Sequence, residues 1–345
     1  MLYNKKILLF TYKFLQNKHN SCGIINISTS PKADIIEKTI KQEAKVAENF
    51  KSGFVSIIGK TNVGKSTLIN NLVGEKVAAV VNKSQTTRTA IKAIVNRENS
   101  QIVFIDTPGI HKPQTKLGKV MIDTAYKSSE NVDVILFLVD AINNKIHKGD
   151  SIILEKLKSQ NTPVILIINK IDLIKKESLL QIIKNYSELH EFKAIIPISA
   201  LDKKYVETIL NEIEKYLPEG PPYYEKDEYT DQTERQLVEE IIREKLLKTL
   251  SDEVPHGTYV EVEKMACGFT KKKEEIYNIE AIIYCLREGH KGIIIGKNGL
   301  MLKKIASSSR FEIEKILKTK VNLSVWVKVK DNWLNQEDFV KKFKL

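Results

Sequence analysis

The stretch GKTNVGKSTL, residues 59–68, decides the fold of this chain. It contains Gly59 and Gly64, followed at once by Lys65 and Ser66, and so fits the pattern G-x-x-x-x-G-K-[ST]. In that pattern backbone amides wrap a phosphate chain, the lysine reaches the β- and γ-phosphates, and the serine hydroxyl binds Mg²⁺. The predicted phosphate site comprises Gly59, Lys60, Thr61, Asn62, Val63, Gly64, Lys65, Ser66 and Thr67.

Apolar strand patterns alternate with helical patterns on both sides of this loop. The run FVSIIG (54–59) leads into it, and five further strands are predicted at 90–95, 102–106, 133–140, 163–169 and 195–199. Such alternation indicates an α/β domain with a mostly parallel sheet and helices on both faces. Ligands of these sheets bind at the carboxyl ends of the strands.

The composition sets the broad class. A chain of 345 residues predicts two domains, and a net charge of +12 suggests a polyanionic partner. The three cysteines show no C-x-x-C spacing, which argues against a zinc site or a disulfide framework. The longest apolar runs, such as 134–139, fall far short of the ~20 residues that a membrane helix needs. We therefore expect a soluble protein.

Two more motifs follow predicted strands. DTPG (106–109) would place Asp106 near Mg²⁺, through water, and the Gly109 amide near the γ-phosphate. The second motif, NKID (169–172), determines which nucleotide base is recognised. Asp172 could accept hydrogen bonds from the ring N–H and the exocyclic amine of guanine, and adenine offers neither.

The remaining base contacts are predicted around NKID and the SAL stretch at 199–201. Asn169 would tie the base loop to the phosphate loop, the stem of Lys170 would cover the purine, and the Ala200 amide would face the guanine oxygen. The predicted guanine-binding residues are Asn169, Lys170, Asp172, Ser199, Ala200 and Leu201.

A second unit follows the break LPEGPP (217–222). We predict a helix at 234–250, strands at 258–267 and 275–288, a glycine-rich turn at 289–299, helices through 305 and near 311–319, and a strand at 322–329. We expect Trp326, on the last strand, to belong to the core.

The turn carries GKNG (296–299) between a strand-like apolar run and a helix, and no acid occurs from 289 to 311. This is the arrangement with which KH domains clamp about four nucleotides of single-stranded RNA. The predicted RNA-binding residues are Lys291, Gly296, Lys297, Asn298, Gly299, Lys303 and Lys304.

Together these motifs resemble the guanine-nucleotide switch proteins, and closely the bacterial Era-type GTPases. The resemblance runs from Ser52 to about Lys330 and includes SQTTRT (84–89), DTPGIH (106–111) and IIREKL (241–246). It implies a P-loop GTPase domain followed by an α+β type II KH domain. It also implies a first switch of Gln85, Thr86, Thr87, Arg88 and Thr89, and a second of Asp106, Thr107, Pro108, Gly109 and Ile110.

In that family one threonine of the first switch closes on Mg²⁺ when GTP is bound. We assign Thr87, with Thr86 as the neighbouring alternative, so that the predicted Mg²⁺ ligands are Ser66, Thr87 and Asp106. Ile110 stands where many GTPases have a glutamine that orients the attacking water, so slow intrinsic turnover is expected. Asn62 matches an asparagine that helps hold K⁺ in related GTPases; the alternative is an asparagine that only fills a tight turn.

The predicted segments are a basic extension (1–50), a GTPase domain (51–217), a linker (218–230), a KH domain (231–332) and a C-terminal tail (333–345). The extension would be disordered or the product of a misassigned start codon. The resemblance implies a GTPase whose nucleotide state controls binding to small-subunit ribosomal RNA near its 3′ end, during assembly of that subunit. It also implies a cytoplasmic location with peripheral association with the inner membrane, and we expect a monomer.

Two rival interpretations fit the sequence less well. An RNA-binding scaffold with a degenerate nucleotide domain is disfavoured because Lys65, Ser66, Asp106 and Asp172 are all intact. An assembly GTPase with two nucleotide domains is disfavoured because one set of motifs is present.

Overall fold

The computed structural model describes residues 50–81, 87–88, 90–109, 115–142, 146–251, 254–270 and 272–337. The helices and strands in chain order are β1 Lys51–Ile58, α1 Lys65–Val73, β2 Ile91–Asn96, β3 Ser100–Asp106, α2 Lys116–Lys127, β4 Val134–Asp140, α3 Lys148–Leu157, β5 Val164–Asn169, α4 Lys176–Ser187, β6 Ala194–Pro197, α5 Val206–Glu214, α6 Glu234–Thr249, β7 Tyr259–Phe269, β8 Glu275–Cys285, α7 Glu288–Ile295, α8 Leu300–Leu317 and β9 Lys320–Val329.

The first six strands form one sheet in the order β2-β3-β1-β4-β5-β6. All neighbours are parallel except β2, which runs antiparallel to β3 at the edge. The predicted mostly parallel sheet is therefore confirmed. Because β1, β3, β5 and β6 run in one direction, the loops that follow them meet at one edge of the sheet.

The central strands are apolar on both faces because helices cover both sides of the sheet. On β4 every residue from Val134 to Val139 is buried. Leu136 belongs to the core cluster on one face, and its neighbour Phe137 to the cluster on the other. The alternation of side chains along a strand therefore supplies two hydrophobic cores, which hold the carboxyl ends of the strands in fixed positions.

The segment 218–230 is hydrogen-bonded along the edge of this sheet. The Ile94 amide donates to the Tyr229 carbonyl at 2.9 Å, and Gln101 Oε1 accepts from the amides of Tyr223 and Tyr224. Such bonds attach the predicted linker to the GTPase sheet over most of its length.

The second unit has the order helix, strand, strand, helix, helix, strand, as the resemblance to KH domains implied, although its two middle helices do not lie where the sequence placed them. Its sheet has the order β7-β8-β9, with β7 antiparallel and β9 parallel to β8. The first helix, α6, begins at a capping box formed by Thr233 and Gln236. Apolar residues from all six elements form one core, which includes Val238, Ile279, Ile294 and Ile305.

Three sequence expectations in this unit were wrong. The predicted glycine-rich turn at 289–299 is helical as far as Ile295, so the strand-like run before GKNG is the end of helix α7; a short apolar run alone cannot separate a strand from a buried helix. The helices predicted through 305 and near 311–319 are one helix, α8. Its intervening serines stay helical, and the hydroxyls of Ser308 and Ser309 donate to the Ile305 carbonyl.

The third correction concerns Trp326. It is 46% exposed, because it lies on the sheet face opposite the helices, and it is therefore not a core residue. Over the part of the chain that the structure describes, no helix combines the length and the apolarity needed to cross a membrane.

Candidate nucleotide and RNA sites

The phosphate loop connects β1 to α1. Its Gly64 has a φ of 104°, a left-handed conformation, and a Cβ at this position would clash with Asn169 Nδ2 from the base loop. A side chain is therefore excluded at Gly64 both by backbone conformation and by the close approach of the two loops.

Lys65 is buried beneath this loop. Its ammonium group donates to the carbonyls of Gly59 at 3.1 Å and Lys60 at 2.9 Å. Burial lowers the pKa of Lys65 to about 8, while the nearby Asp106 carboxylate acts in the opposite direction. The positive charge thus lies inside the loop that would receive the phosphates.

The three predicted Mg²⁺ ligands meet at the end of β3. Ser66 Oγ lies 3.0 Å from both Thr87 Oγ1 and Asp106 Oδ2, and Thr87 Oγ1 donates to Asp106 Oδ2 at 3.2 Å. Asp106 is fully buried, and its Oδ1 atom has no hydrogen-bond partner among the described residues. Burial raises the pKa of this carboxyl group to about 6, against the opposing effect of Lys65.

This donor set fits a magnesium ion. Mg²⁺ prefers oxygen ligands and is usually held by one or two carboxylates, waters and substrate phosphates. Two hydroxyls and one carboxylate, one of whose buried oxygens has no hydrogen-bond partner, provide such a set beside the phosphate loop.

The rest of the two predicted switches is only partly described. Thr107 Oγ1 donates to the Ile57 carbonyl at 2.7 Å, and Gly109 lies against the backbone of Thr61 in the phosphate loop. Pro108 is buried beside them. Gln85, Thr86, Thr89 and Ile110 lie outside the described residues, so Thr86 stays an alternative to Thr87.

Asn169 joins the base loop to the phosphate loop. Its Nδ2 donates to the Val63 carbonyl at 2.7 Å, and its Oδ1 accepts from the amides of Lys170 at 2.7 Å and Ala200 at 2.8 Å. The Ala200 amide, which we predicted to face guanine, is thus directed to Asn169 here. Lys170 has a φ of 64°, and its ammonium group reaches the Asn62 carbonyl at 2.8 Å.

The predicted base-reading carboxylate lies at the surface beside these bonds. Asp172 is exposed within a short turn, Ile171–Leu173, that directly follows Lys170. Ser199 is buried and Leu201 is 79% exposed, so the SAL loop presents one side to the core and the other to solvent. All four motifs therefore lie at one edge of the sheet.

The predicted RNA loop lies between α7 and α8. Gly296, Asn298 and Gly299 have positive φ angles of 72°, 50° and 74°, which bend the backbone sharply between the two helices. Lys297 and Asn298 are exposed at the tip of this loop, and Lys303 and Lys304 are exposed on the first turns of α8. Lys291 lies on α7, 3.6 Å from Glu288.

Sequence reasoning missed the contacts that join the two domains. Lys76, just after α1, contacts Glu244 on α6 at 2.5 Å and also Glu312 on α8. Trp333, in the predicted tail, is completely buried and packs against Leu117 and Met121 of α2. No local signal could identify these pairs, because their partners are far away in the chain.

The fold and these sites define a P-loop GTPase domain joined to a KH domain. Residues 54–170 match the family described as 50S ribosome-binding GTPase, and residues 253–334 match the KH domain family. GTPase Era of Ruminiclostridium cellulolyticum is 51% identical over 293 residues, 85% of this chain and 97% of its own length. GTPase Era of Clostridioides difficile is 52% identical over 295 residues, 85% of this chain and 98% of its own length.

Solved structures agree with these relatives. Era in complex with MgGDPNP and nucleotides 1506–1542 of 16S ribosomal RNA has a TM-score of 0.82 at 40% identity, over 86% of this chain and all of that one. A point variant of Aquifex aeolicus Era bound to GDP·AlF4⁻ has a TM-score of 0.81 at 39% identity, with the same coverage. The chain belongs to the Era family of GTPases.

Proposed function

We propose that this GTPase binds GTP with Mg²⁺, hydrolyses it, and binds small-subunit ribosomal RNA near its 3′ end during assembly of that subunit, with the nucleotide state controlling RNA binding. The observation that carries this proposal is the alignment of both domains with the full length of the Era that binds MgGDPNP and 16S ribosomal RNA. The exposed basic residues around GKNG lie at the part of the KH domain that would clamp the RNA backbone.

Different residues of the chain have different roles at the nucleotide site. Ser66, Thr87 and Asp106 would hold Mg²⁺, which when bound neutralises charge on the β- and γ-phosphates. Lys65 and the amides of the phosphate loop bind the same phosphates, and Asp172 recognises the base. Asn169 keeps base loop and phosphate loop at a fixed separation through its bond to Val63.

The proposed control of RNA binding predicts a difference between nucleotide states. A single-stranded RNA with the sequence of the 3′ end of the small-subunit ribosomal RNA is titrated with the protein bound to a non-hydrolysable GTP analogue and to GDP. We expect tighter binding in the GTP state, by a factor in the range of about 5 to 150 that is typical of coupling between sites. An RNA of the same length and scrambled sequence is the control. Equal affinities in both states would contradict the proposed control, and equal affinities for both RNAs would contradict the proposed target.

We also propose that Asn62 contributes to a potassium site beside the phosphates. Asn62 is exposed in the phosphate loop with a φ of 65°, and the loop that carries it is the one that would receive the phosphates. Hydrolysis should be severalfold faster in KCl than in NaCl at equal ionic strength, and Asn62→Ala should remove that difference. Asn131→Ala is the matched control, because Asn131 is also an exposed asparagine with a positive φ but lies outside the site. Equal wild-type rates in the two salts would rule out the potassium site.

The cellular location and oligomeric state remain predictions from the sequence. We propose a monomer in the cytoplasm that associates peripherally with the inner membrane through the basic residues 1–33, where five lysines occur without an acid. That segment lies outside the described residues. Crosslinking the protein to RNA in cells and sequencing the attached RNA would test the proposed RNA target and would show which part of that RNA is bound.

A further inference from the structure

Arg88 of the first switch is inserted into the KH domain. Its side chain is only 2% exposed, and its two terminal nitrogens donate to the carbonyls of Thr258 at 2.5 Å and His256 at 2.7 Å. Its guanidinium carbon lies 5.5 Å from the centre of the Trp333 ring. All three partners belong to the segment 254–337, although Arg88 itself belongs to the GTPase domain.

The residues that contact Arg88 are themselves fixed by contacts with the KH domain and with α2. Trp333 Nε1 donates to the Gly257 carbonyl at 2.9 Å, which fixes the indole against the turn that bonds Arg88. On its other side Trp333 packs against Leu117 and Met121 of α2, the helix that follows the second switch. The receiving site therefore contacts the chain next to both predicted switches.

The same cluster also contacts the connection to the RNA loop. Leu286 packs against it, and Leu286 directly precedes the short turn into α7, whose carboxyl end is the GKNG loop. Arg88, Trp333 and Leu286 thus form one continuous set of packed groups that ends two residues before α7.

Thr87 and Arg88 are consecutive residues with different anchors. Thr87 bonds to Ser66 and Asp106 at the candidate Mg²⁺ site, and Arg88 bonds to the KH domain. Their Cα atoms can be only about 3.8 Å apart, so displacement of either anchor displaces the other. A buried guanidinium group also cannot leave its two carbonyl partners without a large cost, because charge is poorly solvated inside a protein.

We propose that Arg88 is a positioning residue for GTP hydrolysis: through its anchorage on Thr258, His256 and Trp333, the KH domain holds Thr87 at the magnesium site. This inference rests on the proposed function of that site. The RNA-binding domain is then a structural part of the nucleotide site. Because coupling between two sites is reciprocal, the same anchorage makes RNA affinity depend on the bound nucleotide.

The first test replaces Arg88 by alanine and measures the Mg²⁺ concentration needed for half-maximal binding of a fluorescent non-hydrolysable GTP analogue. We expect that concentration to rise by about tenfold, a coupling within the usual range. The ratio of RNA affinities between the GTP-analogue and GDP states should fall toward one. Arg88→Lys retains the charge but lacks the two terminal nitrogens with which the planar guanidinium reaches the two separate carbonyls, and it should give intermediate values.

Arg97→Ala is the matched control. The terminal nitrogens of Arg97 also bond more than one partner, namely Asn211 at 2.9 Å, Glu207 at 2.7 Å and Glu214 at 3.0 Å, but all three lie in the GTPase domain. Loss of this arginine should leave the Mg²⁺ requirement and the affinity ratio unchanged. If Arg88→Ala folds and behaves like Arg97→Ala in both measurements, the proposed positioning role is wrong.

A second test does not need an Arg88 variant. The chain has two tryptophans, so Trp326→Phe leaves Trp333, beside Arg88, as the single tryptophan, whose emission can be excited selectively over that of the tyrosines. Adding the GTP analogue with Mg²⁺ should change its emission, and adding RNA should change it again. Unchanged emission on saturation with both ligands would overturn the inference. A protein that binds the analogue but not the RNA would instead contradict the proposed function, while the Mg²⁺ requirement of Arg88→Ala would still decide the role of Arg88.

Discussion

Asp172→Asn should lower the affinity for GTP by about a thousandfold and create affinity for xanthosine triphosphate. The carboxylate would accept hydrogen bonds from two guanine N–H groups, and each bond to a charged group contributes about 1.5–3 kcal/mol. Two such bonds correspond to a factor of roughly 10² to 10⁴. An asparagine amide would instead donate to the carbonyl that xanthine carries in place of the amine.

The structure makes this substitution a clean test. Asp172 is exposed, and the neighbouring loop geometry depends on Asn169 and the left-handed Lys170 rather than on Asp172. Nucleotide affinities are measured by titration with fluorescent GTP and xanthosine triphosphate analogues. Asp202→Asn is the control, because it makes the same chemical change and asparagine can still accept the Lys204 amide that Asp202 caps. A variant with wild-type affinity for both nucleotides would show that Asp172 does not read the base.

Replacing both Lys297 and Asn298 by aspartate should weaken RNA binding by about a hundredfold at low salt. The change removes one positive charge and places two carboxylates at the exposed tip of the loop, where the RNA backbone would pass. Each lost phosphate contact should also flatten the salt dependence of binding, by about 0.7 in the logarithmic slope for single strands. GTP affinity and basal hydrolysis should stay near wild type, because the loop is outside the nucleotide site.

A variant of equal charge separates a local contact from a general electrostatic effect. Lys272→Asp with Lys273→Asn makes the same change in net charge at the β7–β8 turn, and asparagine suits the positive φ of 61° at Lys273. That turn lies near the far end of α8, whose 18 residues span about 27 Å from the GKNG loop. RNA is titrated against wild type and both variants at two salt concentrations. If the two variants lose the same affinity, or the loop variant loses none while folded, GKNG is only a turn.

Local patterns were sufficient for most of the fold. Each buried strand of the first domain is encoded within about six residues, and the single glycine and three prolines of 217–222 prevent the preceding helix from continuing. The errors lay where short patterns are ambiguous. The apolar residues before GKNG are compatible with a strand or with a helix. Their packing beside α8 and β9 is what favours the helix.

The candidate site was likewise predictable in part. Motif spacing places Asp106 and Asn169 at strand ends and Lys65 after the loop that follows β1, and the sheet order then brings them together. The hydrogen-bond partners of individual groups were not predictable, as the Ala200 amide shows: in this structure it donates to Asn169 Oδ1. The partner of each group depends on which donor or acceptor is nearest after the loops have packed together, and the local sequence does not specify this.

By itself, the sequence determined the class of the protein: a GTP site, an attached KH domain and the residues that would serve each of them. These features depend on neighbouring residues whose spacing dictates backbone conformation and chemistry. Only the tertiary structure decided that Arg88 is buried in the KH domain and that Trp333 lies between Arg88 and α2. Arg88 and Thr258 are 170 residues apart in the chain. A contact over that distance exists because two separately encoded surfaces are packed together, and no periodicity or motif within either segment specifies its partner.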